Sequence, residues 1–469
     1  MFAYRRILLL LVVPFLFLGL ESCNSQQDEL LVTIQYPKEF TGFSFRAANN
    51  PSLRSDVIAE LGADSVTATL PYGTLQALKP SFTVHQGNLV TVNGVRQVSG
   101  VTVQDFSQPV QYTLSNGGGS KSYRVTLEPI LIGGGWQNQQ LNIPANGGVV
   151  STLAGDGTAA TLDGALASAQ LNGPFGVTTD GSAVYVCEFF GNVIRKIDLN
   201  SGTVSTLAGQ AGVAGSADGI ATAATFNGPA YLILAGTDLY VSDLSNHLIR
   251  KIDTLTDEVT TLAGQAGVSG GADGIGTAAS FTNPAGLAFD GTHLFVSEYG
   301  GNRVRKIDLT TAEVSLLAGS GVAGVVDGVG SAAQFYWPIT MTGDDQYLYV
   351  GSEGGFTLRK IDIATGEVTS VAGDGVQTIT DGIATSAQVG IIAGMTLDRD
   401  YLYFMDSDFL RKMNLTTFEV ITLAGSSPGG YVNGVGTVVK FDQARGLTAD
   451  DSAIYVGGFA DYRIRKVTN

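Results

Sequence analysis

From Val149 onward, hydrophobic and polar positions alternate in short runs of four to eight residues, each closed by Gly, Asn or Asp. One stretch reads GPFGVTTD (Gly173 to Asp180), then AVYVCEF, NVIRKIDL and TVSTLAG. These are four runs of β-branched and aromatic character between turn formers, the signature of four short strands. No stretch carries a sustained helical period. The pattern then returns. Phrases resembling VxxLAG begin at Val150, Val204, Val259, Val314, Val368 and Val420, at spacings of 54, 55, 55, 54 and 52. The arginine of an RK pair falls at Arg195, Arg250, Arg305, Arg359, Arg411 and Arg465, at spacings of 55, 55, 54, 52 and 54. Two independent markers with one period define an internal repeat.

Four antiparallel strands repeated six times, in a chain with 62 glycines, predict an all-β fold: a six-bladed β-propeller over residues 149–469. A ring of blades must close, because an unpaired terminal strand leaves an open edge. The last RK phrase, DYRIRKVTN, lacks its VSTLAG, while VVSTLAG at Val149 stands before the first RK. Strand 149–155 is therefore expected to supply the fourth strand of the last blade.

Upstream, DSVTATLPYG and SYRVTLEP alternate like half-buried strands, with Tyr123, Val125 and Leu127 on one side and Arg124, Thr126 and Glu128 on the other. VNGVRQ and SNGGGSKS supply hairpin turns. Residues 30–129 thus predict a small Ig-like β-sandwich, and the glycine-rich 130–148 a linker. At the start, Arg5 and Arg6 precede an apolar run from Ile7 to Leu20 that is interrupted by Pro14. It is too short to cross a bilayer comfortably and predicts a cleaved signal, residues 1–22, with Cys23 at the cut and 23–29 as a tether.

Charge narrows the function. A net charge of -16 repels phosphate backbones, so nucleic acid is excluded as a partner. The only other cysteine, Cys187, sits in an apolar strand and reads as a small core residue. Three scattered histidines, His85, His247 and His293, supply neither a zinc site nor a serine triad. No metal and no cofactor are expected.

LYVSDLSNHLIRKID (Leu239 to Asp253) followed by VTTLAG, LFVSEYGGNRVRKID and the linking ADGIGTAASFTNPAGLAFD resemble NHL repeats over about two-thirds of the chain. The resemblance implies a six-bladed propeller that binds other molecules. Some family relatives are lyases or RNA binders. The copies YFMDSDFLRKMN and YVGGFADYRIRKV depart from the pattern. Leu20 and Ser22 before Cys23 resemble the lipobox of a bacterial lipoprotein signal, with Glu21 departing from it. This implies lipidation at Cys23. FSFRAANNP, VSGVTVQDFSQPVQYTL and KSYRVTL resemble Ig-like modules beside the anchor of bacterial surface lipoproteins. Asn24, rather than Asp, after the cysteine suits the outer membrane.

Two acidic sets and one aromatic set are candidates for chemistry. Glu188, Asp243, Glu298, Glu353 and Asp406 recur at the end of the second strand, with Gly458 in the last copy. Counting back from hairpin turns at Gly191-Asn192, Asn246-His247 and Gly301-Asn302 sets Glu188 against Arg195, Asp243 against Arg250 and Glu298 against Arg305. These are expected as structural ion pairs. The Asp-Gly pairs at Asp163, Asp218, Asp273, Asp327 and Asp381, and Asn433-Gly434, read as turns. Phe189, Phe190, Tyr299, Trp337, Phe356, Phe409, Phe459 and Tyr462 fall on the face that carries the long crossovers, and all but Phe409 are assigned to binding. The expected function is a lipid-anchored envelope protein whose propeller binds a protein or a glycan without catalysis. The alternatives are a polysaccharide hydrolase or lyase using carboxylates at the channel mouth, and a structural envelope component.

Overall fold

A computed structural model describes residues 37–469 except 47–48, 50–56, 72–77, 107–108, 117, 131–142, 145–146, 345, 399 and 451. The signal segment, Cys23, the tether and most of the linker lie outside the described residues. The described residues fall into two compact units divided between Pro129 and Ile130.

The first unit holds two sheets around one core. Phe40–Phe45 pairs with Val57–Ile58 and Ser81–Val84, and a six-stranded sheet is built on Val110–Asn116 and Gly119–Ile130. Tyr123, Val125 and Leu127 point into a core with Phe40, Phe43, Phe45, Phe106 and Tyr112. The rings meet edge to face, as Phe43 and Tyr112 do at 5.6 Å and 89°, the arrangement ring quadrupoles favour.

The second unit is a β-propeller. Among the described residues it contains six five-stranded sheets, numbered here in chain order. Their inner strands are Pro174–Thr179, Pro229–Ala235, Pro284–Phe289, Pro338–Gly343, Ile392–Asp398 and Ala444–Ala449. Each packs against the next, and the sixth packs against the first. Val149–Ala154 runs antiparallel to Arg463–Thr468 in sheet 6, with Val149 opposite Thr468. Each sheet has five strands rather than the expected four, because the Asp-Gly of each crossover, Asn433-Gly434 in the last, opens a two-residue outer strand. Gly219–Ile220 pairs with Glu258–Ala263 in this way. Ile143, within the expected linker, is buried against sheets 5 and 6.

The inner strands approach closely because glycine faces the neighbouring backbone. A Cβ at Gly176 would lie 2.6 Å from Tyr231 Cα, and one at Gly446 would lie 2.2 Å from the Phe175 carbonyl oxygen. Sheet 2 carries Tyr231 where sheets 1, 3, 5 and 6 have glycine. Its hydroxyl crosses the axis and donates to the Ala393 carbonyl of sheet 5 at 2.5 Å. Val177, Leu232, Leu287, Met341, Met395 and Leu447, one from each sheet, close the axis around a space of about 20 Å³, room for one water at most.

Each RK arginine is buried and ties its crossover to its own sheet. Arg250 donates to the Thr225 and Ala217 carbonyls at 3.0 and 2.9 Å, and to Asp218 and Asp243 at 2.8 and 3.0 Å. Its guanidinium lies over the Phe226 ring at 5.1 Å. Arg195 pairs with Glu188 and Asp163, and Arg305 with Asp273 at 2.6 Å and Glu298 at 3.6 Å. Two readings of the sequence need correction. The acids are not directly opposite their arginines: Glu188 pairs with Val193 and Arg195 with Val186, because the hairpin loop is the four residues Phe189 to Asn192. The ion pair forms on the diagonal. The Asp-Gly aspartates are not turn formers alone, since every one of them also accepts from the guanidinium.

Removing one member of such a buried network strands the others. Arg305→Ala should lower unfolding free energy by about 3–5 kcal/mol in urea, and a loss below about 1 kcal/mol would show that the crossover holds itself. Burial pushes the carboxyls of Asp243, Asp406 and Asp461 up to about 6. A folded-state value above the unfolded one means the folded protein takes up protons first, so these groups add stability as pH falls from 7 toward 4. Wild type should therefore gain stability relative to Asp406→Asn on acidification from pH 7.5 to 5, measured by urea midpoints at each pH. A constant difference would contradict it.

Candidate functional site

The two-to-three hairpins and the crossovers open on one face of the ring, and the first residue of each hairpin loop holds the same place in its sheet. Along the six sheets these residues are Phe189, Leu244, Tyr299, Glu353, Ser407 and Phe459. Phe189, Leu244, Tyr299 and Phe459 pack against one buried cluster containing Phe175, Tyr231 and Ile339.

Two aromatic groups stand on opposite sides of the mouth. On sheets 6 and 1, Phe175 meets Phe189 at 5.6 Å and Phe459 at 5.5 Å, while Phe190 meets Phe189 at 5.3 Å and Phe459 at 5.2 Å. Phe190 is 53% exposed. On sheets 3 and 4, Trp337 stacks on Tyr299 at 5.7 Å and 27° and leans on Tyr336 at 4.8 Å. Between them Arg445 of sheet 6 reaches Glu353 of sheet 4 at 3.3 Å, both partly exposed. The Arg445 guanidinium also lies over Phe175 and Phe459, at 5.7 and 5.9 Å. Burial, and the Glu353 carboxylate beside it, push the Tyr299 hydroxyl up to about 12. Tyr231 forms the floor, in edge-on contact with Phe175 at 5.2 Å.

Trp337 is held in an unusual conformation. Its φ is 53°, and the equivalent positions in sheets 1, 2, 3 and 6 are Gly173, Gly228, Asn283 and Gln443, all at positive φ. Gly and Asn tolerate that region, whereas a bulky side chain there is strained. Asn302 Oδ1 accepts from the Trp337 amide at 3.0 Å and fixes it. The ring is 40% exposed. A backbone held there persists only where the surroundings over-determine it.

The structure brings together Phe189, Phe190, Tyr299, Trp337 and Phe459. Phe356 and Tyr462 are half-buried at the left-handed end of their hairpin loops, with φ of 46° and 56°. Neither ring stacks on another aromatic among the described residues. Phe409 lies in the third strand of sheet 5 rather than in a hairpin loop. Glu353 does not belong with the recurring acids. Pro338 pairs with Ser352 as Pro174 pairs with Glu188, so Ser352 takes the acidic position and Glu353 the place of Phe189. The sixth sheet, with Gly458 there, recovers a carboxylate from Asp461, 3.3 Å from Arg465. Sequence reading missed Arg445, Phe175, Tyr336 and Tyr231. Arg445 had a signal: it is the one charge at a position otherwise held by Phe175, Ala230, Ala285, Ile339 and Ala393. The histidines are dispersed: His247 Nδ1 accepts from the Asn283 amide at 3.1 Å, and His293 pairs with Asp290 at 2.9 Å. The Cys187 thiol is buried, and burial pushes it well up.

Residues 50–127 match the family model described as SGBP, N-terminal. The chain is 27% identical over 292 residues to NHL repeat-containing protein 2 of Homo sapiens, covering 54% of this chain and 40% of that protein. It is 29% identical over 200 residues to Protein SUPPRESSOR OF QUENCHING 1, chloroplastic, of Arabidopsis thaliana, covering 40% of this chain and 19% of that one. It thus spans well under half the length of these curated relatives. Among solved structures, an auxiliary nutrient binding protein from Bacteroides thetaiotaomicron aligns with a TM-score of 0.52 at 14% identity, covering 85% of this chain and 95% of that one. At that identity the likeness is one of fold.

Replacing the strained tryptophan by the residue sheet 3 uses should relieve the backbone while removing the stacked ring. Trp337→Asn should melt no lower than wild type, the relief of about 1 kcal/mol or more offsetting the lost contact with Tyr299. A melting temperature several degrees lower would show that the ring is there for packing.

Proposed function

We propose that this chain is a lipid-anchored, extracytoplasmic protein in which an Ig-like module carries a six-bladed NHL-type propeller, and that the propeller binds a glycan without catalysis. The carrying observation is the pair of exposed, rigid aromatic platforms that face one another across one mouth, with a charged pair between them. Aromatic faces suit the apolar faces of sugar rings, and side chains with few rotors lose little entropy on binding. Glu353, the carboxylate facing these rings, is committed to Arg445, whereas glycoside hydrolysis needs two carboxyls acting as acid and base or nucleophile. The match of the N-terminal module to the surface glycan-binding family supports the same reading and an envelope location. Lipidation at Cys23, followed by Asn24, would place the protein at the outer membrane.

A soluble chain beginning at Leu30 should bind members of a glycan array, and Phe190→Ala/Trp337→Ala should lose about tenfold or more in affinity. Unchanged binding in that variant would move the site off this mouth. Capture of an envelope protein with no glycan signal would replace the sugar by a protein ligand. Silence in both assays would defeat the binding reading.

A further inference from the structure

The wall of the mouth is uneven, and the unevenness has a direction. In sheets 1, 2, 3 and 6 the second and third strands are joined by four-residue loops, as from Glu188 to Val193 and from Gly458 to Arg463. In sheet 5 Asp406 pairs with Phe409, leaving only Ser407 and Asp408 in the loop. The position that carries Phe189, Leu244, Tyr299 and Phe459 elsewhere is there Ser407. Its hydroxyl is drawn down to the Ile391 amide at 3.3 Å. The wall is therefore bulky and aromatic or aliphatic around sheets 6, 1, 2 and 3, and low at sheet 5.

The Arg445–Glu353 pair sits at this gap. Arg445 comes from sheet 6 and Glu353 from sheet 4, so their ion pair spans the inner side of the low wall. Arg445 Nε is buried without a hydrogen-bond partner among the described residues. A guanidinium and a carboxylate side by side offer donors and acceptors that neighbouring hydroxyls can meet together. Below, the axis is sealed by Tyr231 and the six side chains, so nothing threads through the ring. A ligand longer than the mouth must leave sideways, and sheet 5 is where the wall permits it.

The charge at the gap selects among glycans. Arg445 is already balanced by Glu353. Asp408 and Asp442 lie near one another beside the gap with Lys440 close by, and the whole chain carries -16. An acidic sugar approaching this edge meets net negative charge.

Resting on the glycan-binding reading, we infer that the mouth takes a neutral oligosaccharide, which lies between the two aromatic platforms, presents paired hydroxyls to Arg445 and Glu353, and continues outward over the two-residue hairpin of sheet 5. Sheet 5 then sets the length preference and the charge of the site sets the sugar class.

The test uses calorimetry on the chain from Leu30 onward, with neutral hexasaccharides of glucan, mannan, galactan and fructan type, their disaccharides, and length-matched oligogalacturonate and chondroitin fragments. Two variants raise the wall: a Gly-Gly insertion between Ser407 and Asp408, and Ser407→Trp, which leaves loop length unchanged; melting temperatures check that both fold. The best neutral hexasaccharide should weaken about tenfold in both variants while its disaccharide changes less than about twofold, and the acidic fragments should bind wild type at least about tenfold more weakly. Equal losses for long and short sugars, or none, would overturn the exit over sheet 5. Acidic fragments bound as tightly as neutral ones would overturn the sugar class. Either failure leaves the aromatic mouth standing if Trp337→Ala still abolishes binding, whereas no binding by any sugar defeats the glycan reading itself.

Discussion

One buried arginine per sheet holds this ring in shape. A propeller must fold long crossovers back over its sheets, and such segments carry backbone carbonyls that burial would leave unsatisfied. In each sheet one guanidinium meets two of those carbonyls and the side chain that opens the outer strand, from Gln170, Leu162 and Asp163 at Arg195 to Lys440, Val432 and Asn433 at Arg465. Lysine could not substitute, because a planar fork with fixed donors is what reaches all of them at once. The inner acids, Asp243 or Asp406 for example, neutralise the buried charge at the cost of their own desolvation, which raises their proton affinity. Where the acid is missing the ring adapts: Arg359 works with Asp327 alone, and Arg465 recruits Asp461.

The repeat that makes the scaffold also makes a binding site difficult to build, since identical sheets present identical surfaces. Function has to come from departures. Tyr231 in place of an inner glycine seals the axis, Arg445 in place of a small residue brings charge to the mouth, and Trp337 in place of glycine or asparagine brings an exposed ring at the expense of backbone strain. Each departure is tolerated because the arginine networks are local to their sheets, so one altered inner or loop position does not loosen its neighbours.

How legible this was from the amino acids differs by feature. The period, the four core strands of each sheet and the alternation of Tyr123, Val125 and Leu127 are properties of spacing along the chain, which hydrophobic patterning reports directly. Register within a hairpin is not. A four-residue loop and a two-residue turn shift each residue's partner by two positions, and the sequence around Gly191-Asn192 is compatible with both. The same ambiguity placed Glu353 among the recurring acids, although the pairing of Ser352 with Pro338 puts it one residue further on, facing Arg445.

The sequence by itself determined that this chain is a repeating all-β ring with a separate strand-rich module before it, because period and alternation follow from covalent order alone. Only the tertiary structure decided which aromatic rings share a surface, which acid meets which arginine and where the wall is low. Those depend on residues from sheets 1, 3, 4, 5 and 6, hundreds of positions apart, meeting around one axis, and their geometry is set by ring closure rather than by any local stretch of chain.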